Sequence, residues 1–286
     1  MRAITIPRHG GAEVLTFSRD FPNPEPESGE AVVRVAATTV NQMDLLVRNG
    51  YPNQAIPLPH LPGGDVVGTV ARVGREVESV KVGQRVLVYP LLSCGRCSLC
   101  RSGQRNLCTN WKTVGIHHHG GYAEEVAVPA ENLILLPDGL DFKTAATLPV
   151  AGLTAHHALA TVGKLAPGEV CVVWGAAGGL GSMALQVSRH LGARTIAVVG
   201  SQGRGEEAFT AGADAVINRN DVDVVKRLKE LAPEGADLVL DSIGAATFSM
   251  SLGMLKNGGR LVSCGILGGR ESPLNIHMVY FHHLTI

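Results

Sequence analysis

Four cysteines crowd one short stretch, Cys94-Gly-Arg-Cys97-Ser-Leu-Cys100, with Cys108 soon after. Thiolates at this spacing on a turn-rich loop suit tetrahedral zinc. Disulfides are the rival, disfavoured by the crowding and by a chain that reads as intracellular. All four coordination positions are filled by protein, so the expected metal is structural and leaves no site for substrate. Such a centre carries net negative charge, and Arg96, Arg101 and Arg105 lie in the same loop to offset it. The other cysteines, Cys171 and Cys264, fall in apolar runs and read as small hydrophobes.

A different chemistry is suggested by Gly175-Ala176-Ala177-Gly178-Gly179-Leu180-Gly181. The apolar run Val170 to Trp174 precedes it. Leu180, Met183, Ala184, Val187 and Leu191 follow at helical spacing, with Gly192 as a stop and a second apolar run at Thr195 to Val199. Strand, glycine turn, helix, strand is the order of a dinucleotide-binding unit. Glycines let the backbone approach a pyrophosphate, and the first free N–H groups of the helix offer an anion site. Tight packing alone would explain single glycines, but not their order. The candidate cofactor contacts are Gly175, Ala177, Gly178, Gly179, Leu180 and Gly181, with Gly265 and Ile266 after a later strand.

The elements that position these sites fall into two grammars. Residues 1–150 are β-rich, with short Val-rich runs at Glu30 to Ala36, Val66 to Val73, Arg85 to Tyr89 and Tyr122 to Val128. Gly/Pro/Asn turn signals separate them, and the spacing predicts a closed or partly closed β-barrel carrying the cysteine lobe at about residues 90–112. Residues 151–286 alternate helix and strand. After the opening unit come a polar segment ending at Gly212, a strand at Asp214 to Ile217 and a helix from about Val222 to Leu231. A strand at Asp237 to Asp241, a helix near Ala245 to Leu255 and a strand at Arg260 to Cys264 complete a doubly wound parallel sheet of the α/β class.

Composition narrows the function further. The 25 basic and 25 acidic side chains cancel, which argues against a nucleic-acid or anionic-membrane surface. No apolar run approaches the roughly 20 residues that span a bilayer, and MRAITIPRHGG lacks the apolar core of a secretory signal. A cytoplasmic protein is expected. Aromatics make up only 4% of the chain, so the core must be aliphatic, as suits a helix-covered parallel sheet.

A β domain with a CxxCxxC…C lobe, then AGLTAHHAL, then GAAGGLG resembles the medium-chain dehydrogenase/reductase superfamily over essentially the whole chain. The resemblance implies a GroES-like β-barrel catalytic domain (1–150) followed by a Rossmann NADP-binding domain (151–286), with the active site in the cleft between them. Zinc alcohol dehydrogenases of the superfamily hold a second, catalytic zinc through a Cys, a His-Glu pair and a later Cys or His. This chain has Asn41 at the first position, Gly63-Gly64-Asp65 where Gly-His-Glu is expected, and Val150 at the last. Gly and Val cannot ligate through a side chain, so no catalytic zinc is expected. Asn41 with Asp44, in the frame NxxD, is similar to the quinone oxidoreductase branch. Most of that branch lacks the structural lobe as well, so the chain is a mixed case. Asn41 is then the expected hydrogen-bond donor to cofactor or carbonyl, and Asp44 the residue that positions its segment.

Cofactor choice rests on the end of the second Rossmann strand, where an acid would bind the ribose hydroxyls and repel a 2′-phosphate. The chain reads Val199-Gly200-Ser201-Gln202-Gly203-Arg204, with no carboxylate before Glu206. Ser201 can hydrogen-bond a phosphate, Arg204 can pair with it, and Arg219 is a second cation, which predicts NADPH. Arg204 as an ordinary solvated charge is the plainer alternative. Tyr51 either stacks on a planar substrate or covers the barrel. Thr154 either lies near the nicotinamide, as the resemblance implies, or caps a helix. His117-His118-His119 reads as a polar loop, since adjacent side chains seldom converge on one ion. His156 and His157 read as helix residues, and His282 and His283 as part of a terminal strand.

Relatives in the superfamily continue past HMVYFHHLTI, whereas this chain ends at Ile286, by this reading inside a sixth strand whose open edge invites pairing. A homo-oligomer, dimer or tetramer, is the expected assembly. The function expected is NADPH-dependent reduction of quinones or α,β-unsaturated carbonyls without a catalytic metal. The rivals are a zinc-type alcohol dehydrogenase and a truncated, non-catalytic nucleotide-binding protein.

Overall fold

The computed structural model describes residues 1–51, 55–201 and 203–286. Two compact units divide the chain, Met1–Val150 and Ala151–Ile286. The first holds strands β1 (Ala3–Thr5), β2 (Thr16–Ser18), β3 (Glu30–Ala37), β4 (Val67–Val73), β5 (Arg85–Val88), β6 (Leu91–Leu92), β7 (Lys112–Thr113), β8 (Glu125–Pro129) and β9 (Leu133–Leu135). Its main sheet runs β8-β3-β4-β5-β9 and is antiparallel throughout. Register shifts between β3 and β4 bend the sheet. Among the described residues β8 and β9 do not pair with each other, so the barrel stays open along those edges. The run from Tyr122 begins as loop and becomes strand only at Glu125.

β-Branched residues fill the interior of this sheet: Val33, Val66, Val70, Val86, Val88, Val126 and Val128 are all buried. Short helices α1 (Gln42–Asn49), α2 (Ser98–Arg101) and α3 (Phe142–Ala145) punctuate the strands. Asp141 caps α3 by accepting from Lys143 N and Thr144 N. The β1–β2 pair was not legible beforehand, because three-residue strands are too short to show alternation.

A helical run then opens the second unit. Wide π-type turns at Leu148–Gly152 and His157–Val162 flank α4 (Leu153–His156), and both junctions keep helical dihedrals. The alternating pattern follows: β10 (Val170–Trp174), α5 (Gly179–His190), β11 (Arg194–Val199), α6 (Gly203–Thr210), β12 (Ala215–Asn218), α7 (Val224–Leu231), β13 (Ala236–Asp241), α8 (Ala245–Gly253), β14 (Leu255–Ser263) and α9 (Ile276–Phe281). The sheet order is β12-β11-β10-β13-β14, all parallel, with its switch point between β10 and β13.

The central strands β10, β11 and β13 are buried on both faces. Cys171, Val173, Ala197 and Leu240 point to one cluster, while Val172, Trp174, Ile196, Val198 and Val239 point to the other. That explains the continuous apolar runs. The polar stretch before Gly212 proves to be α6, which buries only Gly205 and Ala208 and so shows little apolar periodicity. The terminal segment also differs from its expected strand. It forms α9 and a turn containing His282 and His283, and Thr285 makes a single parallel bridge to Arg260 of β14. No helix among the described residues is long and apolar enough to cross a membrane.

Candidate functional site

The cysteine lobe leaves the sheet between β6 and β7, whose antiparallel pairing closes its base. The sulfurs of Cys94, Cys97, Cys100 and Cys108 all lie within 4.8 Å of one another. A zinc tetrahedron with bonds of about 2.3 Å places its sulfurs about 3.8 Å apart. Cys97 and Cys100 are 3.4 Å apart, and Cys94 and Cys100 4.0 Å. Backbone amides already point at these sulfurs: Cys100 N donates to Cys97, Cys94 N to Cys108, and Asn110 N to Cys108. The backbone bond from Cys100 draws the Cys97 thiol down to about 6, whereas burial pushes Cys100 up to about 11. The residues fit a structural zinc. Of the three nearby arginines, Arg105 is committed to Glu131. Outside the lobe, Cys171 is fully buried and burial pushes its thiol up to about 12, while Cys264 rises to about 11 for the same reason.

In the second unit the glycine turn joins β10 to α5. Gly175 takes φ +61° and its carbonyl accepts from Gly178 N at 2.9 Å. A β-carbon on Gly181 would collide with the Gly175 carbonyl and Ala176, so the helix packs onto the turn only with glycine there. Gly178 is the N-cap, and the N–H groups of Gly179, Leu180 and Gly181 open α5; Ala177 precedes them in the turn. Gly265 lies against the Ser242 carbonyl with Ile266 exposed beside it, so the loops after β13 and β14 meet at the same end of the sheet.

Beyond β11, Ser201 is exposed and Arg204 is exposed in the first turn of α6. Gln202 lies outside the described residues. The Arg219 guanidinium lies over Gly200, where a β-carbon would be 3.3 Å from Nε. Asn220 Nδ2 donates to the Gly200 carbonyl and Arg219 N to that of Val199, which joins the loops after β11 and β12. Among the described residues neither Arg204 nor Arg219 has a carboxylate partner.

Around Asn41 the first unit assembles two carboxylate centres. Asn41 is the N-cap of α1, and Asp44 Oδ2 accepts from Asn41 N at 2.7 Å. The same oxygen accepts from Tyr122 Oη at 3.1 Å, and Asp44 Oδ1 accepts from Gly63 N at 3.1 Å. Burial, first, raises the Asp44 carboxyl above its ordinary range, against the lowering effect of these donors. Burial also raises the Tyr122 phenol, and neighbouring Asp44 adds to it. The second centre is Asp65, only 1% exposed. Its Oδ2 accepts from Asn41 Nδ2 at 2.7 Å and from the Thr39 hydroxyl, and its Oδ1 from Val150 N at 2.8 Å. Thr39 and Tyr122 carry no sequence signal of a role here, and Asp65 enters the sequence reading only as the residue that closes the Gly63-Gly64-Asp65 frame. The one available signal was a carboxylate directly after Pro62-Gly63-Gly64.

A catalytic metal at Asn41, Gly64 and Val150 is not matched by these residues. Gly64 and Val150 supply no ligand atom from a side chain, and a β-carbon at Gly64 would sit 3.5 Å from Val150 Cγ2. Both Asp65 oxygens are already taken by protein donors.

Other expected site residues fall elsewhere. Tyr51 is half-buried and packs on the apolar cluster of Ile6, Val14, Val47, Ile56 and Ile116, beside α1 rather than on the core of the main sheet. Thr154 lies inside the uninterrupted helical run, which removes the capping alternative. The three consecutive histidines turn separate ways: His117 Nδ1 accepts from Thr113 N, His118 meets the His119 carbonyl, and His119 packs between Phe21 and buried His60.

Family models for the alcohol dehydrogenase GroES-like domain and for zinc-binding dehydrogenase match residues 27–138 and 179–286. The quinone oxidoreductase of Sus scrofa is 30% identical over 272 residues, 95% of this chain and 75% of its own length. A crystal structure of an NAD-dependent alcohol dehydrogenase superposes with a TM-score of 0.95 at 38% identity, over 100% of this chain and 83% of that one. The Escherichia coli quinone oxidoreductase complexed with NADPH gives 0.83 at 30% identity, over 100% and 79%. With the antiparallel first unit, the parallel five-stranded sheet of the second and these matches all in agreement, the chain belongs to the medium-chain dehydrogenase/reductase superfamily and is an oxidoreductase of that type.

Proposed function

We propose that the protein is an NADPH-dependent reductase of quinones or α,β-unsaturated carbonyls that works without a catalytic metal and carries one structural zinc. The observation that carries this reading is the state of the expected metal position, where Asn41 and Val150 are tied to Asp65 and Gly64 offers nothing. Conjugated carbonyls accept hydride without a Lewis acid, provided a donor meets the oxygen on which charge develops. The bound nicotinamide supplies the hydride. Asn41 supplies the donor. Its two acceptors, Asp65 Oδ2 and Thr39 Oγ1, are bonded to each other and lie on one side of Nδ2. One amide hydrogen serves both, and the other is left for the substrate carbonyl. Asp44 fixes the start of α1 through Asn41 N, and Tyr122 and Gly63 hold Asp44 in place.

Support for NADPH comes from Ser201, Arg204 and Arg219 gathered at the ends of β11 and β12 with no acid at Val199 to Arg204. In the lobe, Cys94, Cys97, Cys100 and Cys108 would hold the zinc. Alcohol dehydrogenase activity is the alternative, favoured by the similarity to an NAD-dependent enzyme of that name. A screen of NADPH and NADH oxidation against quinones, enones and aldehydes, run beside alcohol oxidation with NAD, separates the two. NADPH-linked reduction of quinones or enones supports the proposal; alcohol oxidation with NAD and no quinone or enone turnover refutes it.

A further inference from the structure

We infer that Asp65 is a positioning residue for Asn41: a buried carboxylate hub that organises the site where related zinc enzymes would use a metal. Three donors from two chain segments converge on it. Thr39, just after β3, donates its hydroxyl; Asn41, at the start of α1, donates its amide; Val150, in the wide turn Leu148–Gly152, donates its backbone N–H. A fourth bond, from Thr38 Oγ1 to the Asp65 carbonyl at 2.6 Å, fixes the backbone of the hub itself.

The chemistry of the partners sets the orientation of the amide. A carboxylate is an acceptor only, so Asn41 must turn its nitrogen, not its oxygen, toward Asp65. A glycine packed against the hub adds a constraint. A β-carbon on Gly121 would sit 3.0 Å from the Asp65 carbonyl and 3.0 Å from Thr38 Oγ1, so the loop before β8 closes tightly over it. Asp65 has no cationic partner among the described residues, and hydrogen-bond donors alone satisfy it. Replacing it by asparagine leaves one neutral acceptor oxygen for three donors: an NH2 then opposes either the Asn41 amide or Val150 N, and in either orientation the Asn41 amide is held less firmly than by a carboxylate.

The turnover arm of the test rests on the reductase reading above; the exchange arm does not. Asp65→Asn should lower kcat for quinone or enone reduction by about tenfold or more, with the NADPH KM within about twofold of wild type. Because Asp65 acts through Asn41, the double variant N41A/D65N should turn over as slowly as Asn41→Ala alone. Losses that multiply, or a kcat for Asp65→Asn within about twofold of wild type, would overturn the inference. The second measurement needs no folded Asp65 variant. In wild-type protein labelled with 15N-asparagine, the more protected of the two side-chain NH2 protons that disappear in Asn41→Ala, the one bonded to Asp65, should exchange with solvent about tenfold or more slowly than those of exposed Asn49. Exchange as fast as Asn49 would overturn the hub. If wild type reduces none of the acceptors, the functional reading falls while the exchange result still decides the role of Asp65.

Discussion

Arg204 and Arg219 show what one side chain can decide. Both are exposed, both lack a carboxylate partner among the described residues, and Arg219 is held over Gly200 by the loop contacts of its neighbour Asn220. On the proposed reading, a 2′-phosphate at these loops would gain charge-assisted bonds that the ribose hydroxyl of NADH cannot offer. Arg204→Ala should weaken NADPH about tenfold to hundredfold and leave NADH nearly unchanged, as read by titrating each nucleotide. Equal weakening of both would remove Arg204 from phosphate recognition. Asn41→Ala, in turn, should lower quinone or enone turnover about a hundredfold while the lobe keeps its metal, because on the proposed reading Asn41 is the donor to the oxygen on which charge develops and neither Gly64 nor Val150 offers a side-chain replacement. Turnover that survives the change but is lost on mild chelation would reopen the alcohol dehydrogenase alternative.

Among the elements, the lobe is the one with least core of its own. Cys100 and Cys108 are its buried side chains between α2 and the turn at Arg105–Leu107, while Leu107 is 54% exposed. A loop of this kind draws its folding energy from the metal. One zinc per chain is expected by elemental analysis. Cys97→Ser removes a thiolate ligand, although its hydroxyl can still accept from Cys100 N at the start of α2, so loss of the metal should be what unfolds the lobe. Nucleotide affinity should persist, since α5 and its glycine turn belong to the other unit. Two zinc ions per chain, neither lost in Cys97→Ser, would contradict the assignment.

At the scale of the whole molecule, acid stability should depend on His60. It is 1% exposed, bonds the Gly115 carbonyl through Nε2 at 3.0 Å and lies with its ring tilted against that of His119, centroids 5.4 Å apart. Burial, first, and then the neighbouring histidines hold its pKa down to about 4, below the ordinary 6.5. Folding therefore favours the neutral ring. The stability is whole above pH 6.5 and is lost as the pH falls from 6.5 toward 4, by about 3 kcal/mol for a shift of that size. His60→Gln, which keeps a donor for Gly115, should flatten the pH dependence of thermal unfolding across this window. An unchanged slope would show that other groups govern the acid limb.

The sequence by itself determined the architecture. Apolar runs bounded by glycine, such as Val170 to Trp174 and Thr195 to Val199, specify parallel strands because both faces are buried, and Gly175 to Gly181 admits a single turn geometry onto α5. The cysteine spacing was equally local: its ligands lie within one loop, so chain order carries the geometry. What failed locally did so for physical reasons. Helix α6 buries two small residues and shows no stripe, and β1 and β2 are stabilised by partners rather than by their own pattern. Tertiary structure alone decided the rest of the candidate site. Tyr51 was equally suited to a ligand or to the core until Ile6, Val47 and Ile116 closed around it. Asp65 could be recognised as a hub only once Thr39, Asn41 and Val150 were brought together, since hydrogen bonds across 24 and 85 residues of chain leave no periodicity in the sequence.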